Sequence, residues 1–179
     1  MAKSDSFLSA TSSLAAIVLA GGLSSRLGTD KAFLVLDGQT LLERTASTLS
    51  SITQQVLIVT SQKGRKRIEE SRLEFGQMTS LVTDLYPGKG SLGGIYSGLA
   101  MSPAFYNLVV ACDMPFLNQR LLAYMVKQAP GSDVIIPRLG SVLEPLHAIY
   151  SKNCLGQMKD LLYSGHLKIL DLFPKVRVR

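Results

Sequence analysis

At 179 residues, 46% hydrophobic and 18% charged, the chain has the makeup of one globular domain with a real core, not of a disordered or fibrous protein. Nineteen lysines and arginines against thirteen acids give a formal charge of +6, which favours anionic partners. There is no tryptophan, and aromatic residues do not alternate with basic ones, so the composition argues against a nucleic-acid binder.

Residues 1–13, rich in Ser and Thr, read as a loose tail. Lys3 ahead of the apolar run at 14–20 imitates a signal peptide, but Asp5 interrupts the basic region and the run ends in glycines. The stretch AAIVLA at 15–20, stopped by Gly21 and Gly22, has the pattern of a buried parallel strand. A short strand and turn at 35–38 lead into a helix at 40–51, where Leu41, Leu42, Thr45, Ala46 and Leu49 recur at helical spacing. VLIV at 56–59 predicts a second buried strand, and 63–75 an exposed polar helix. In that helix the cluster Lys63, Arg65, Lys66 and Arg67 is followed by Glu69, Glu70 and Glu74, the pattern of a solvated face. SLVT at 80–83 predicts a third strand, entering a glycine-rich stretch at 87–98 that reads as a surface loop. LVVA at 108–111 is a fourth strand, and a helix starts near Asn118 and runs to about 128. Strands at 134–136 and 146–149, a helix at 154–163 and a half-exposed strand at 176–179 complete the chain. Strand and helix alternate without repeats or linkers, which predicts a single α/β domain over 14–179 with a mostly parallel sheet.

Cys112 and Cys154 stand far apart, with no Cys or His at metal-ligand spacing; this argues against a structural zinc or a disulfide framework and fits a reducing compartment. No stretch reaches the ~20 apolar residues that a membrane-spanning helix needs. The expectation is a cytoplasmic protein with neither membrane nor nucleic acid as partner.

In open α/β sheets ligands gather outside the carboxyl ends of the strands, so the loops there hold the candidates. After the first strand come Leu19, Ala20, Gly21 and Gly22, then Arg26, Gly28, Asp30 and Lys31. Glycines let backbone amides approach a polyphosphate closely. Arg26 then supplies a forked donor and Lys31 a point charge. The spacing is neither GxGxxG nor GxxxxGK[ST]. A plain turn with two surface cations is the alternative, and the joint presence of Arg26, Gly28, Asp30 and Lys31 favours the phosphate reading. After the third strand, Asp84 could accept hydrogen bonds from guanine's amino and imino groups or from a ribose, with the following glycines clearing space for a flat base. After the fourth, Asp113 in Cys112-Asp113-Met114-Pro115 is a lone carboxylate suited to Mg²⁺, which takes one or two carboxylates plus substrate phosphates. Its alternative is an Asp capping the next turn. Cys112 reads as a small buried hydrophobe and His166 as a surface residue.

The residues AIVLAGG at 16–22, with Arg26-Leu27-Gly28 and Asp30-Lys31, closely resemble the signature of molybdenum cofactor guanylyltransferases, within the sugar-phosphate and isoprenoid-precursor nucleotidyltransferases. The AGG spelling and DK ending resemble the guanylyl branch, where the cytidylyl branch usually reads AAG. Leu27 stands where Met is common. Residues 84–95 resemble the family's second loop, where an Asp contacts the guanosine. Residues 112–115 look like its CDxP metal site. Glu144-Pro145-Leu146-His147-Ala148 is similar to the segment facing the pterin, with a His that satisfies a backbone carbonyl as the alternative for His147.

The resemblance implies a three-layer, Rossmann-like nucleotidyltransferase fold with helices on both faces of the sheet. It implies transfer of GMP from GTP to molybdopterin with Mg²⁺ and release of pyrophosphate. Arg26, Lys31 and Asp113 would be catalytic, and Leu19, Ala20, Gly21, Gly22, Lys31, Asp84 and Asp113 would bind nucleotide. Asp113 would hold the metal, and Glu144 and His147 would face the pterin. Molybdoenzyme apoproteins or other cofactor-maturation proteins are the implied partners. Relatives of this kind continue past the last strand into an Asn-containing segment and a terminal helix, so that portion is expected to be missing after Arg179. Three alternatives stay open: cytidylyl transfer to molybdopterin, guanylyl transfer to a cobinamide phosphate, and a non-catalytic GTP- or cofactor-binding module.

Overall fold

The structure, a computed structural model, describes residues 14–21 and 31–179. The expected tail at 1–13, and Gly22, Arg26, Gly28 and Asp30 of the first loop, lie outside the described residues. In chain order the strands are β1 (Leu14–Leu19), β2 (Val35–Leu36), β3 (Gln39–Thr40), β4 (Val56–Thr60), β5 (Thr79–Thr83), β6 (Tyr106–Ala111), β7 (Val134–Ile135), β8 (Arg138–Leu139), β9 (Val142–Leu143) and β10 (His147–Ser151). The α-helices are α1 (Leu41–Ser50), α2 (Gln62–Glu70), α3 (Gly90–Met101), α4 (Gln119–Gln128) and α5 (Cys154–Ser164).

Six strands form one sheet in the order β5-β4-β1-β6-β10-β7. β5, β4, β1 and β6 run parallel, and β10 is antiparallel to both β6 and β7. Side chains alternate across a strand, so each inner strand feeds two cores. Ala16 and Val18 of β1, with Val56, Ile58, Leu108 and Val110, meet Leu42, Ala46 and Leu49 of α1 and Leu122, Met125 and Val126 of α4. Ala15 and Ile17, with Leu57, Val59 and Val109, meet Leu92, Ile95 and Leu99 of α3 and Met158, Leu161 and Leu162 of α5. The result is the expected three-layer α/β arrangement, with helices on both faces of a mostly parallel sheet. Among the described residues no helix is long and apolar enough to cross a membrane.

α1 starts where its cap dictates. The Thr40 hydroxyl accepts from the Glu43 amide, and the Glu43 carboxylate accepts from the Thr40 amide, a reciprocal capping box. The β2–β3 hairpin turns through Asp37 and Gly38, both at positive φ, the pairing that a two-residue turn of the primed type requires.

Four elements depart from expectation, among them the strand expected at 176–179, which is a single bridge from Val178 to Val134. The polar helix α2 ends at Glu70 and does not run to 75: Ser71 is extended, its hydroxyl bonds the Ile68 carbonyl, and Leu73 and Phe75 turn down onto the core. Arg65 and Lys66 on this helix pair with Glu69 and Glu70 one turn on. A second hairpin, β8–β9, stands between β7 and β10. The largest departure is the glycine-rich stretch, which is not a loop from Gly90 on but the helix α3. Three of its glycines clear space for protein, while Gly88 and Gly90 ahead of them border open space. A Cβ at Gly98 would come within 2.7 Å of Ile17 Cγ2, one at Gly93 within 2.9 Å of the Tyr86 carbonyl oxygen, and one at Gly94 within 3.3 Å of Leu19 Cδ2. Close approach to β1 outweighs the poor helix propensity of glycine.

The C-terminal residues lie along β7. The Arg179 amide donates to the Val134 carbonyl, the Ile136 amide to the Arg179 carbonyl, and the amides of Asp133 and Val134 to the Arg177 carbonyl. Asp133, 7% exposed, accepts from the Arg177 guanidinium at 3.0 and 3.1 Å, from the Arg177 amide and from the Asn153 amide group. The Arg177 side chain first, then Asn153, overcome burial and hold this carboxyl well below the usual carboxylate range.

Two outcomes follow for stability. Gly98→Ala lowers unfolding stability by about 1–3 kcal/mol in denaturant titration, because β-branched Ile17 is fully buried and has nowhere to retreat. Arg177→Ala costs roughly 2 kcal/mol at neutral pH, the scale of a hydrogen bond to a charged group. The depressed folded pKa of Asp133 makes its contribution full above about pH 4, the unfolded carboxylate value, and lost as pH falls below it. The gap between wild type and Arg177→Ala should therefore narrow as a pH series of melts goes below 4.

Candidate functional site

Parallel order reverses at β1: β4 and β5 lie on one side and β6 on the other. Such a switch point leaves a crevice at the carboxyl ends of the strands. The described candidates line this edge. The Leu19 carbonyl accepts from the Cys112 amide at 3.1 Å, tying the end of β1 to the segment after β6. The Ala20 amide donates to the Val59 carbonyl, and the Ala20 carbonyl accepts from the Thr60 hydroxyl. These bonds hold the base of the first loop, and Gly21 emerges exposed beyond them.

Lys31 begins a 3₁₀ turn, Lys31–Phe33, and its ammonium donates to the Asp113 carboxylate at 2.9 Å. Two candidates far apart in sequence are thus brought into contact. Both remain accessible, with side chains 44% and 37% exposed, as groups that must meet a ligand should be. The hydrogen bond to Asp113, then its charge, raises the Lys31 pKa, so the ammonium stays charged at neutral pH. Asp113 projects from a turn in which the Met114 amide donates to the Ala111 carbonyl.

That turn is gripped from beneath by α1. The Thr45 hydroxyl, fully buried, donates to the Cys112 carbonyl at 3.2 Å, and the Arg44 Nε donates to the Pro115 carbonyl at 3.2 Å. One bond falls on each side of Asp113. In the sequence Thr45 reads as part of the apolar face of α1, and nothing in its spacing announces a partner after β6.

Asp84 follows β5, and its amide donates to the Thr60 carbonyl. Its Oδ1 accepts from the Tyr86 amide at 3.0 Å and from the Ser97 hydroxyl at 2.8 Å. Glu144 and His147 stand at the start of β10, beside the end of β6: Val110 is the register partner of His147, and the Ala111 amide donates to the Leu146 carbonyl. Glu144 is exposed. Burial pushes the His147 imidazole below its ordinary pKa, with Glu144 opposing, so the ring is neutral at pH 7. Its Nε2 is buried without a partner among the described residues and does not satisfy a backbone carbonyl.

The remaining nucleophile candidates fall away. Cys112 and Cys154 are both buried, and burial pushes the Cys154 thiol up to about 12. His166 is exposed, as its surroundings suggest. Among the described residues no three His, Cys, Asp or Glu side chains gather into a metal cage. A cation here would depend on Asp113 and on oxygens that a ligand brings, a donor set that suits Mg²⁺ and not a structural zinc.

Thr45→Val keeps the volume and removes the donor to Cys112. It should cost about 1 kcal/mol in equilibrium unfolding and raise the crystallographic disorder of residues 112–115 without disturbing α1.

The family model for the MobA-like NTP transferase domain matches residues 16–175. A protein of Pelotomaculum thermopropionicum named "Probable molybdenum cofactor guanylyltransferase" is 38% identical over 162 residues, covering 90% of this chain and 75% of the relative. The molybdenum cofactor guanylyltransferase of Desulfosudis oleivorans is 36% identical over 166 residues, covering 91% and 78%. Among solved structures, molybdopterin-guanine dinucleotide biosynthesis protein A of Archaeoglobus fulgidus superposes with a TM-score of 0.76 at 27% identity, covering 91% of this chain and 80% of that one. The chain is therefore a nucleotidyltransferase and belongs to the MobA-like NTP transferase family, together with the molybdenum cofactor guanylyltransferases.

Proposed function

We propose that this chain transfers GMP from GTP to the phosphate of molybdopterin, releasing pyrophosphate and forming the guanine dinucleotide form of the cofactor. The observation that carries the reading is the Lys31–Asp113 contact of 2.9 Å at the switch point of the sheet, in a chain related to guanylyltransferases. Residues 14–179 act as a single domain, and the reaction takes place in the cytoplasm.

An oxygen of the acceptor's phosphate monoester attacks the α-phosphorus of GTP. A new P–O–P link forms, the bond from the α-phosphorus to the α–β bridging oxygen breaks, and the electron pair leaves with pyrophosphate. The second pKa of a phosphate monoester is about 6, so the nucleophile is already ionised at neutral pH and needs no general base. That matches a site without a catalytic triad. The chain's work is alignment and charge neutralisation. Lys31 and Arg26 neutralise phosphate oxygens, and Leu19, Ala20, Gly21 and Gly22 take part in binding the nucleotide. Asp84 contacts the guanosine, and Glu144 and His147 face the pterin. Asp113 would hold Mg²⁺, which would supply Lewis-acid stabilisation of phosphoryl charge. The product passes to molybdoenzyme apoproteins or other maturation proteins.

The test is pyrophosphate release from GTP, CTP or ATP with Mg²⁺, with and without molybdopterin. Release that needs the acceptor and occurs with GTP alone is expected. Preference for CTP would move the chain to cytidylyl transfer, and GTP binding without release under any acceptor would leave a binding module. Asp113→Ala should cut turnover by more than about 100-fold while shifting stability by less than about 1 kcal/mol, the ion pair being accessible to water. Unchanged GMP transfer by that variant at limiting Mg²⁺ would remove Asp113 from the metal site.

A further inference from the structure

Ser97 is a fully buried hydroxyl in the middle of α3 that both accepts and donates. It accepts from the Leu85 amide at 2.9 Å and lies 2.8 Å from both Asp84 Oδ1 and the Gly93 carbonyl. A hydroxyl has one proton to give, and an ionised carboxylate is a stronger acceptor than a carbonyl. Bonding to the carbonyl four residues back is a common resting place for a helical serine. The bonds to Asp84 and Leu85 are not, since they reach out of the helix into the loop after β5. Ser97 therefore holds that loop at two adjacent residues, one by its side chain and one by its backbone.

The consequence for Asp84 is specific. The two lone-pair directions of Oδ1 are taken by the Tyr86 amide and the Ser97 hydroxyl. Oδ2 accepts from no described residue and is the oxygen left for a ligand. A fork in which both carboxylate oxygens meet guanine's amino and imino groups is thereby closed. We infer that Ser97 is a positioning residue for nucleotide selection, which locks one oxygen of Asp84 into the protein so that the other makes a single, oriented contact with the nucleoside. Gly93, one turn before Ser97, and Gly98, the residue after it, seat α3 against Tyr86 and Ile17 and so hold Ser97 at the required depth. The inference rests on the reading of Asp84 as the guanosine contact.

The experiment is a double-mutant cycle on the full chain: wild type, Ser97→Ala, Asp84→Asn and the double variant. For each, kcat, KM for GTP and KM for molybdopterin are measured, with the thermal midpoint and the Kd for GTP read in parallel. Ser97→Ala is expected to raise KM and Kd for GTP about tenfold, the scale of a lost hydrogen bond to a charged group, with kcat and the acceptor KM within about twofold. In the Asp84→Asn background the same change is expected to add almost nothing to either GTP value. Equal penalties in both backgrounds, or kcat and both KM values moving together, would mean that Ser97 only stabilises α3, and would overturn the inference. Unchanged GTP binding in Asp84→Asn alone would remove the reading beneath it, whatever Ser97 does.

Discussion

A strand flanked by parallel neighbours on both sides and by helices on both faces can contribute no polar side chain of its own, and β1 is such a strand. Leu14, Ala15, Ala16, Ile17 and Val18 are all buried, and the ladder to β4 on one side and β6 on the other uses the backbone groups. Chemistry near β1 must therefore come from where the chain leaves it. The crossover from β1 to β4 runs through α1 on one face, and the one from β5 to β6 runs through α3 on the other. Right-handed crossovers of this kind diverge at the strand where the order reverses. The divergence opens the sheet edge between β1 and β6, where Lys31 and Asp113 meet.

Helices of opposite character hold that edge from its two sides. α1 is conventional: capped, amphipathic, with Thr45 and Arg44 reaching under the turn that bears Asp113. α3 gives up propensity for proximity, with no side-chain cap and glycines at the positions nearest Tyr86, Leu19 and Ile17. The same closeness lets a side chain as short as serine span the distance to the loop of Asp84. Rigidity on one side comes from hydrogen bonds to a turn, and on the other from a helix brought close enough for a two-atom side chain to suffice.

Much of this was legible beforehand, for reasons that can be assigned. β1, β4 and β6 each carry a short continuous apolar run stopped by loop residues, a pattern that follows directly from burial on two faces. α1 was legible because Leu41, Leu42, Thr45, Ala46 and Leu49 recur at helical spacing. Asp113 stood out because a carboxylate just past a buried strand has few structural uses, and Lys31 because it shares the glycine loop with Arg26, Gly28 and Asp30. α3 was not legible, because local preference and tertiary demand conflict there, and only the position of Ile17 explains why glycine prevails. The end of α2 at Ser71 was missed because Leu73 and Phe75 look like further turns of helix until the core beneath them is seen. Thr45 and Ser97 were invisible for a related reason: a hydroxyl on a helix says nothing about which distant carbonyl or carboxylate it will meet. The β8–β9 hairpin has only two residues per strand, too few for alternation to register.

The placing of β10 inside the sheet has a bearing on how the chain comes to fold as it is made. β6 is complete once residue 111 has been synthesised, yet its free edge waits for residues 147–151, and β7, emerging earlier, has no sheet neighbour until β10 arrives. Without β10 the sheet would end on an open edge of Leu108, Val109 and Val110. Unpaired edges of this composition invite pairing with other chains. The apolar edge of β6 is thus covered by a segment from the last third of the sequence, and the centre of the sheet is closed only by that long-range pairing.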